Sequence, residues 1–219
     1  MMKKAGVIFD MDGLMFDTQR IYNRAFKEVL LLEHGLDFPE GMRLALMGRS
    51  GKDMYDIVNR YYPQLDAPEF VRKSFDLVAK LVETDLTACP GLDVLLPYLK
   101  EQGYRIGLAS GSNRTIVDSN LAASGLRAYF IGTLSGDEVT AGKPDPECYL
   151  RAAALIGCDP QDCYVLEDSP NGVRAGVRAG CSVLMVPNVV EPDEEMRRIS
   201  TGIYDSLADV KDAMEAGIL

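Results

Sequence analysis

The chain has almost no histidine, no surplus of positive charge and no long apolar run, and each lack removes a class of function. Its one histidine, His34, rules out a histidine-rich metal site. It stands beside Gly35 at the expected C-terminus of a helix, where a cation suits the dipole, so a structural role is favoured over phosphohistidine chemistry. A formal net charge of -10 argues against holding nucleic acid or an anionic membrane by broad electrostatics. A small anionic substrate would need a local cluster of cations. No segment approaches the roughly 20 apolar residues of a membrane span. The opening Met1-Met2-Lys3-Lys4 looks like a signal-peptide n-region, but Asp10 breaks the apolar run behind it. The five cysteines, Cys89, Cys148, Cys158, Cys163 and Cys181, are odd in number and lack C-x-x-C spacing. They point to buried thiols in a reducing compartment, not to a disulfide frame or a zinc site. A cytoplasmic, monomeric protein with a small-molecule partner is expected. Its 219 residues, 47% of them hydrophobic, provide for one or two domains with a sizeable core.

Two kinds of segment divide the chain. Val7-Ile8-Phe9 reads as a short buried strand. From Thr18 to about Leu86 the reading is helical: Ile21, Ala25, Val29 and Leu32 share one face before Gly35, and Met54, Ile57, Val58 and Tyr61 share another before Pro63. Pro68 to Leu86 forms a third helix, with Phe70, Ser74, Leu77 and Leu81 along one stripe. From Pro90 onward strands and helices alternate. The strands are expected at Arg105–Ala109, Ile131–Ser135, Cys163–Leu166 and Ser182–Val186; the helices are expected around Asp93–Gln102, Thr115–Ser124, Pro146–Ile156 and Asn171–Ala179. Alternation of this kind implies a parallel sheet with right-handed crossovers. The strand before Asp10 must join that sheet, because an all-helical region offers it no partner. The helical block is therefore an insertion, entered near Asp17-Thr18 and left near Cys89-Pro90. Gly172, Gly176 and Gly180 recur every fourth residue and are read as letting one helix approach the sheet closely, with Gly180 ending it.

The polar residues at strand ends carry the chemistry. Asp10-Met11-Asp12-Gly13 follows the first strand, and two carboxylates two residues apart raise each other's pKa. A divalent cation and a phosphate dianion would balance them; the structural alternative is that both are solvated. Ser110 ends the second strand, where it is either a helix cap or a ligand donor. Lys143 precedes a helix, as either a solvated charge or an active-site cation. Glu167-Asp168 ends the strand from Cys163, and a strand-end acidic pair needs a partner.

The pattern Asp10-x-Asp12-Gly13-x-x-x-Asp17-Thr18, followed in order by Ser110, Lys143 and Glu167-Asp168, resembles the four motifs of the haloacid dehalogenase superfamily across nearly the whole chain. The resemblance implies a doubly wound, Rossmann-like α/β core at 1–17 and 88–219, with an all-helical cap at 18–87 that sets specificity. It also implies a magnesium-dependent phosphatase. In that scheme Asp10 attacks phosphorus and forms an aspartyl-phosphate, and Asp12 protonates the leaving alcohol and then deprotonates water. Mg2+ is held by the Asp10 carboxylate, the Asp12 main-chain carbonyl, Asp168 and, as a further candidate, Glu167. Lys143 offsets charge, and Ser110 donates to the phosphoryl oxygens. Asp12 sets the chain apart from the dehalogenase and phosphonate-cleaving branches. Lys52 is accordingly read as a helix-starting lysine, not as a Schiff-base former.

The insertion resembles the cap of the beta-phosphoglucomutase subgroup, which also contains small-metabolite phosphatases. Three departures weaken a mutase: with Gly48 as the cap glycine, the positions of the mutases' histidine, lysine and arginine read Tyr22, Met47 and Gly51. Leu46-Met47-Gly48-Arg49 and Met185-Val186-Pro187-Asn188 look more like the pseudouridine-phosphate phosphatase branch. Candidate substrate contacts are Ser110, Gly111, Asn113, Arg114, Arg49, Lys52 and Tyr22; for the charged ones a solvated loop position is the competing reading, and for Tyr22 a core-facing one. The expected activity is hydrolysis of a sugar phosphate or nucleoside monophosphate. A sugar-phosphate mutase is the alternative, with a catalytically silent binding module behind it.

Overall fold

The computed structural model describes residues 4–47, 49 and 51–219; Gly48 and the Met1-Met2-Lys3 part of the opening lie outside them. The first strand, β1 (Gly6–Phe9), leads into four consecutive helices: α1 (Thr18–His34), α2 (Glu40–Leu46), α3 (Lys52–Tyr61) and α4 (Ala67–Asp85). The chain then runs α5 (Leu92–Glu101), β2 (Arg105–Ala109), α6 (Arg114–Ser124), β3 (Gly132–Leu134), α7 (Glu147–Leu155), β4 (Cys163–Glu167), α8 (Pro170–Arg178), β5 (Ser182–Met185), α9 (Glu194–Ile199), β6 (Gly202–Ile203) and α10 (Leu207–Glu215). The sheet order is β3-β2-β1-β4-β5-β6, and every pairing is parallel. This is the doubly wound α/β core expected, with a helical insertion after its first strand.

Strand alternation divides the core into two layers. Val7 and Phe9 point into a cluster with Leu95 and Leu99 of α5, Val117 of α6 and Val210 of α10. Ile8, between them, joins Tyr149 and Ala152 of α7 and Val173 of α8 on the opposite face. A third cluster belongs to the inserted helices, where Phe26 meets Phe70 edge to face at 5.5 Å. Two adjacent chain segments link insertion and core: Phe16 bridges Ala88, the Asp17 N–H donates to the Thr87 carbonyl, and the Cys89 N–H donates to the Met15 carbonyl.

Three details depart from the expectations. Leu32 and Tyr61, assigned to the apolar faces of α1 and α3, are 78% and 36% exposed, and Phe26 and Leu30 fill the side given to Leu32. Ile131 is exposed, so β3 begins at Gly132. β6 has two residues, too few for any periodicity to reveal. His34 sits exposed in the last turn of α1 before Gly35, as expected, and all five cysteines are free. Gly176 lies against Val183 and Val165 of the sheet, and Gly180 follows α8 with a φ of 85°.

Candidate active site

The C-terminal ends of β1, β2 and β4 lie side by side, so Asp10, Ser110 and Asp168 emerge along one edge of the sheet. In a doubly wound sheet this crevice is where ligands bind. Asp10 is buried, and its Oδ1 accepts from Lys143 Nζ at 2.5 Å. The same ammonium donates to Glu167 Oε1 at 2.6 Å and lies 4.9 Å from the centre of the Tyr149 ring. Glu167 is wholly buried and fully engaged. Its Oε1 also accepts from the Tyr149 hydroxyl at 2.6 Å; its Oε2 takes the Asp168 and Ser169 N–H groups and the Ser169 hydroxyl, each at 3.0 Å.

These partners determine which carboxylate keeps its charge. Burial works against Glu167, but Lys143, Tyr149 and the backbone donors together hold its pKa below the ordinary value. Asp10 has Lys143 alone. Burial, helped by Glu167 and Asp12, outweighs that ammonium and pushes Asp10 up to about 8. Asp168 is raised well above the usual range, first by burial and then by Glu167 and Asp10. No side-chain donor among the described residues reaches it. Oxygens of Asp10, Glu167 and Asp168 fall within 4.8 Å of one another. An all-oxygen set with two under-compensated carboxylates fits a hard divalent cation. Because the protein already occupies both oxygens of Glu167, Asp10 and Asp168 are the carboxylates left with room to bind a cation. Gly13 makes room for this: at its φ of 90°, a Cβ would overlap the Asp168 carboxylate.

Asp12 is held differently. Its Oδ2 accepts from Ser110 Oγ at 3.1 Å and from Ser112 Oγ at 2.8 Å, while its Oδ1 is buried without a partner. Ser110 Oγ accepts in turn from the Ser112 N–H at 2.9 Å. The Tyr22 hydroxyl, from the insertion, sits 2.9 Å from Ser112 Oγ.

The other candidates lie elsewhere in the interaction map. Arg114, expected at the substrate, spends its guanidinium on Thr133, Asp118 and Glu138. The Asn113 side chain caps α6 by accepting from the Ile116 N–H at 3.0 Å. Gly111 is an exposed loop position. Arg49 and Lys52 are exposed and pair with Asp53 and Asp56. Three participants were not among the site residues expected from the sequence. Tyr149 lay unremarked within the helix expected around Pro146–Ile156, and Ser112 stood one residue from candidates on both sides. Asn188, whose Nδ2 donates to the Gly13 carbonyl at 2.7 Å, follows the last long strand. A separate hollow of about 330 Å³, lined by Phe16, Val82, Leu86, Ala88 and Leu92, contains none of these carboxylates.

Comparison with known proteins agrees with the geometry. The family model described as haloacid dehalogenase-like hydrolase matches residues 7–186. A phosphorylated carbohydrates phosphatase of Thermotoga maritima is 30% identical, with 96% of this chain and 90% of that protein aligned. CbbY of Rhodobacter sphaeroides, solved with phosphate, superposes with a TM-score of 0.82 at 25% identity, covering 94% of this chain and 96% of that one. The fold of the beta-phosphoglucomutase of Clostridium difficile matches with a TM-score of 0.77 at 22% identity, over 98% of this chain and 99% of that one. The chain therefore belongs to the haloacid dehalogenase-like hydrolases, and it shares the fold of the beta-phosphoglucomutase neighbour.

Proposed function

We propose that the protein is a magnesium-dependent phosphatase of a small phosphorylated metabolite, a sugar phosphate or nucleoside monophosphate, acting as a cytoplasmic monomer. Residues 18–87 form the cap that selects the alcohol, and 1–17 with 88–219 form the catalytic core. The carrying observation is the contrast between two neighbouring carboxylates: Asp10 is gripped by Lys143 at the strand end, while Asp12 is anchored through one oxygen and keeps the other free.

The chemistry follows from that contrast. An Asp10 carboxylate oxygen attacks phosphorus, the bond to the ester oxygen breaks, and an aspartyl-phosphate forms. The free oxygen of Asp12 delivers a proton to the departing alcohol. In the second half it takes a proton from water as that water attacks phosphorus and releases Asp10 and inorganic phosphate. Ser110 turns its hydroxyl to a phosphoryl oxygen, and Lys143, fixed by Glu167 and Tyr149, offsets charge as the phosphoryl group transfers. Asp10, Asp168 and the Asp12 carbonyl would hold the divalent cation, whose positive charge would keep Asp10 ionised and offset the charge of the dianion. The named activity of the Thermotoga relative supports phosphorylated carbohydrates as the substrate class. No helix among the described residues is long and apolar enough to cross a membrane.

The test is phosphate release, with and without magnesium, from a panel containing glucose 1-phosphate, glucose 6-phosphate, pseudouridine 5′-phosphate and a sugar bisphosphate. A preferred monoester that loses phosphate only with the metal, and not with Asp10→Asn, is the expected result. Conversion of glucose 1-phosphate into glucose 6-phosphate with little free phosphate would replace the phosphatase with a mutase.

A further inference from the structure

The Tyr22 hydroxyl has no part in the scheme above, yet it ends a hydrogen-bonded chain that begins at Asp12. Ser112 Oγ lies 2.8 Å from Asp12 Oδ2 and 2.9 Å from the Tyr22 hydroxyl. Counting protons fixes the direction. A serine hydroxyl has one hydrogen, and Ser112 gives its hydrogen to Asp12 Oδ2, so Ser112 accepts from Tyr22. Burial and the Asp12 charge keep the phenol protonated, as a donor must be. Its ring is set independently, edge to face with Phe75 at 5.8 Å, and both rings belong to the cap. The other hydroxyl on Asp12 Oδ2 is that of Ser110, whose single hydrogen is also the one assigned to the phosphoryl group. It cannot serve both acceptors. Once Ser110 turns to substrate, Ser112 is the remaining side-chain donor on that oxygen among the described residues.

We infer that Tyr22 is a positioning residue for the acid–base step: acting through Ser112, its hydroxyl holds the Asp12 carboxyl in place after Ser110 has transferred its hydrogen bond to the phosphoryl group. Because Tyr22 comes from the cap and Ser112 from the core, the acid is held only while the two are apposed. The inference rests on the assignment of Asp12 as the acid–base group.

The reading that separates this role from mere packing is leaving-group dependence. An alkyl ester needs a proton delivered to its oxygen, whereas p-nitrophenolate departs as the anion. The ratio of kcat/KM for the fastest monoester of the panel to that for p-nitrophenyl phosphate therefore isolates Asp12's first task. Tyr22→Phe, which keeps the ring, is expected to lower that ratio about tenfold, the effect of one net hydrogen bond. Ser112→Ala breaks the same chain from the core side and should lower the ratio equally. Ser112→Thr should restore it, and the double variant should lose no more than either single one. Equal losses on both esters, or losses that add in the double variant, would overturn the inference and leave the phosphatase standing. Failure of the wild type to hydrolyse either ester would overturn both.

Discussion

Gly172→Ala tests how tightly the buried ion-pair array is locked. Gly172 lies in the first turn of α8, and a Cβ there would overlap the Glu167 carboxyl. Alanine gains up to ~1 kcal/mol of helix propensity over glycine. Against that, Glu167 would have to leave a position in which it accepts from Lys143, Tyr149, two backbone N–H groups and Ser169. Separating a buried charge from its partners costs about 3–5 kcal/mol. The net expectation is a loss of ~2–4 kcal/mol in urea unfolding near neutral pH, once the propensity gain is set against that cost. Phosphatase kcat should fall as well, because Lys143 loses the group that holds it against Asp10. Gly176→Ala, one turn on, is the control. Its Cβ would meet Val183 Cγ2 at 2.7 Å, the end of an apolar side chain. Overpacking of ~1–3 kcal/mol offset by propensity leaves ~0–2, with kcat retained. A Gly172→Ala protein as stable and active as the wild type would refute the locking argument.

Three other substitutions probe the charges separately. Asp168→Asn removes a buried carboxylate whose raised pKa marks its charged form as unfavourable without a cation. In EDTA the variant should melt higher than wild type, and it should lose the wild type's thermal shift on adding magnesium; a variant that melts lower in EDTA and still responds to magnesium would contradict this reading. Lys143→Ala strands Asp10 and Glu167 without their shared ammonium and should cost ~3–5 kcal/mol in chemical denaturation, with activity abolished. Glu138, held down to about 2 by the Ser135 hydroxyl and N–H and by Arg114, tests pH dependence away from the site. Its depressed pKa means a contribution present above the unfolded value and lost as pH falls toward 2. Glu138→Gln should therefore destabilise by ~1 kcal/mol near neutrality, after allowing for solvent screening, and the gap in melting temperature should close in acid.

What could be read in advance divides along physical lines. The strand ends were legible because short apolar runs stopped at Asp10, Ser110 and Glu167, and a parallel sheet brings such ends to one edge. The insertion was legible because about seventy residues offered helical periodicity and no strand. Leu32 misled because three- and four-residue spacing defines a stripe without saying how wide the covered side is; Phe26 and Leu30 proved to be its centre. The fates of Arg114 and Asn113 were hidden for another reason. Their residue types fit both a substrate and a local partner, and only tertiary placement beside Thr133 and at the cap of α6 decides between them. Tyr149 and Ser112 show the reverse: a buried aromatic and a loop serine look bland until their hydroxyls are found on Glu167 and Asp12.

The position of β1 also bears on the order in which the molecule assembles. Its neighbours are β2 and β4, so a strand ending at Phe9 finds its partners only after residues 105–109 and 163–167 exist. The inserted helices close largely on one another, through contacts local to residues 18–85. On a ribosome, which extends the chain from its N-terminus, the helical block can collapse while the strand before it still waits, since distant pairings carry the larger closure entropy. The repulsion of Asp10 by Glu167 and Asp168 is thereby deferred until β4 docks on β1. Under the proposed reading, divalent cation present at that moment should raise the yield of native protein.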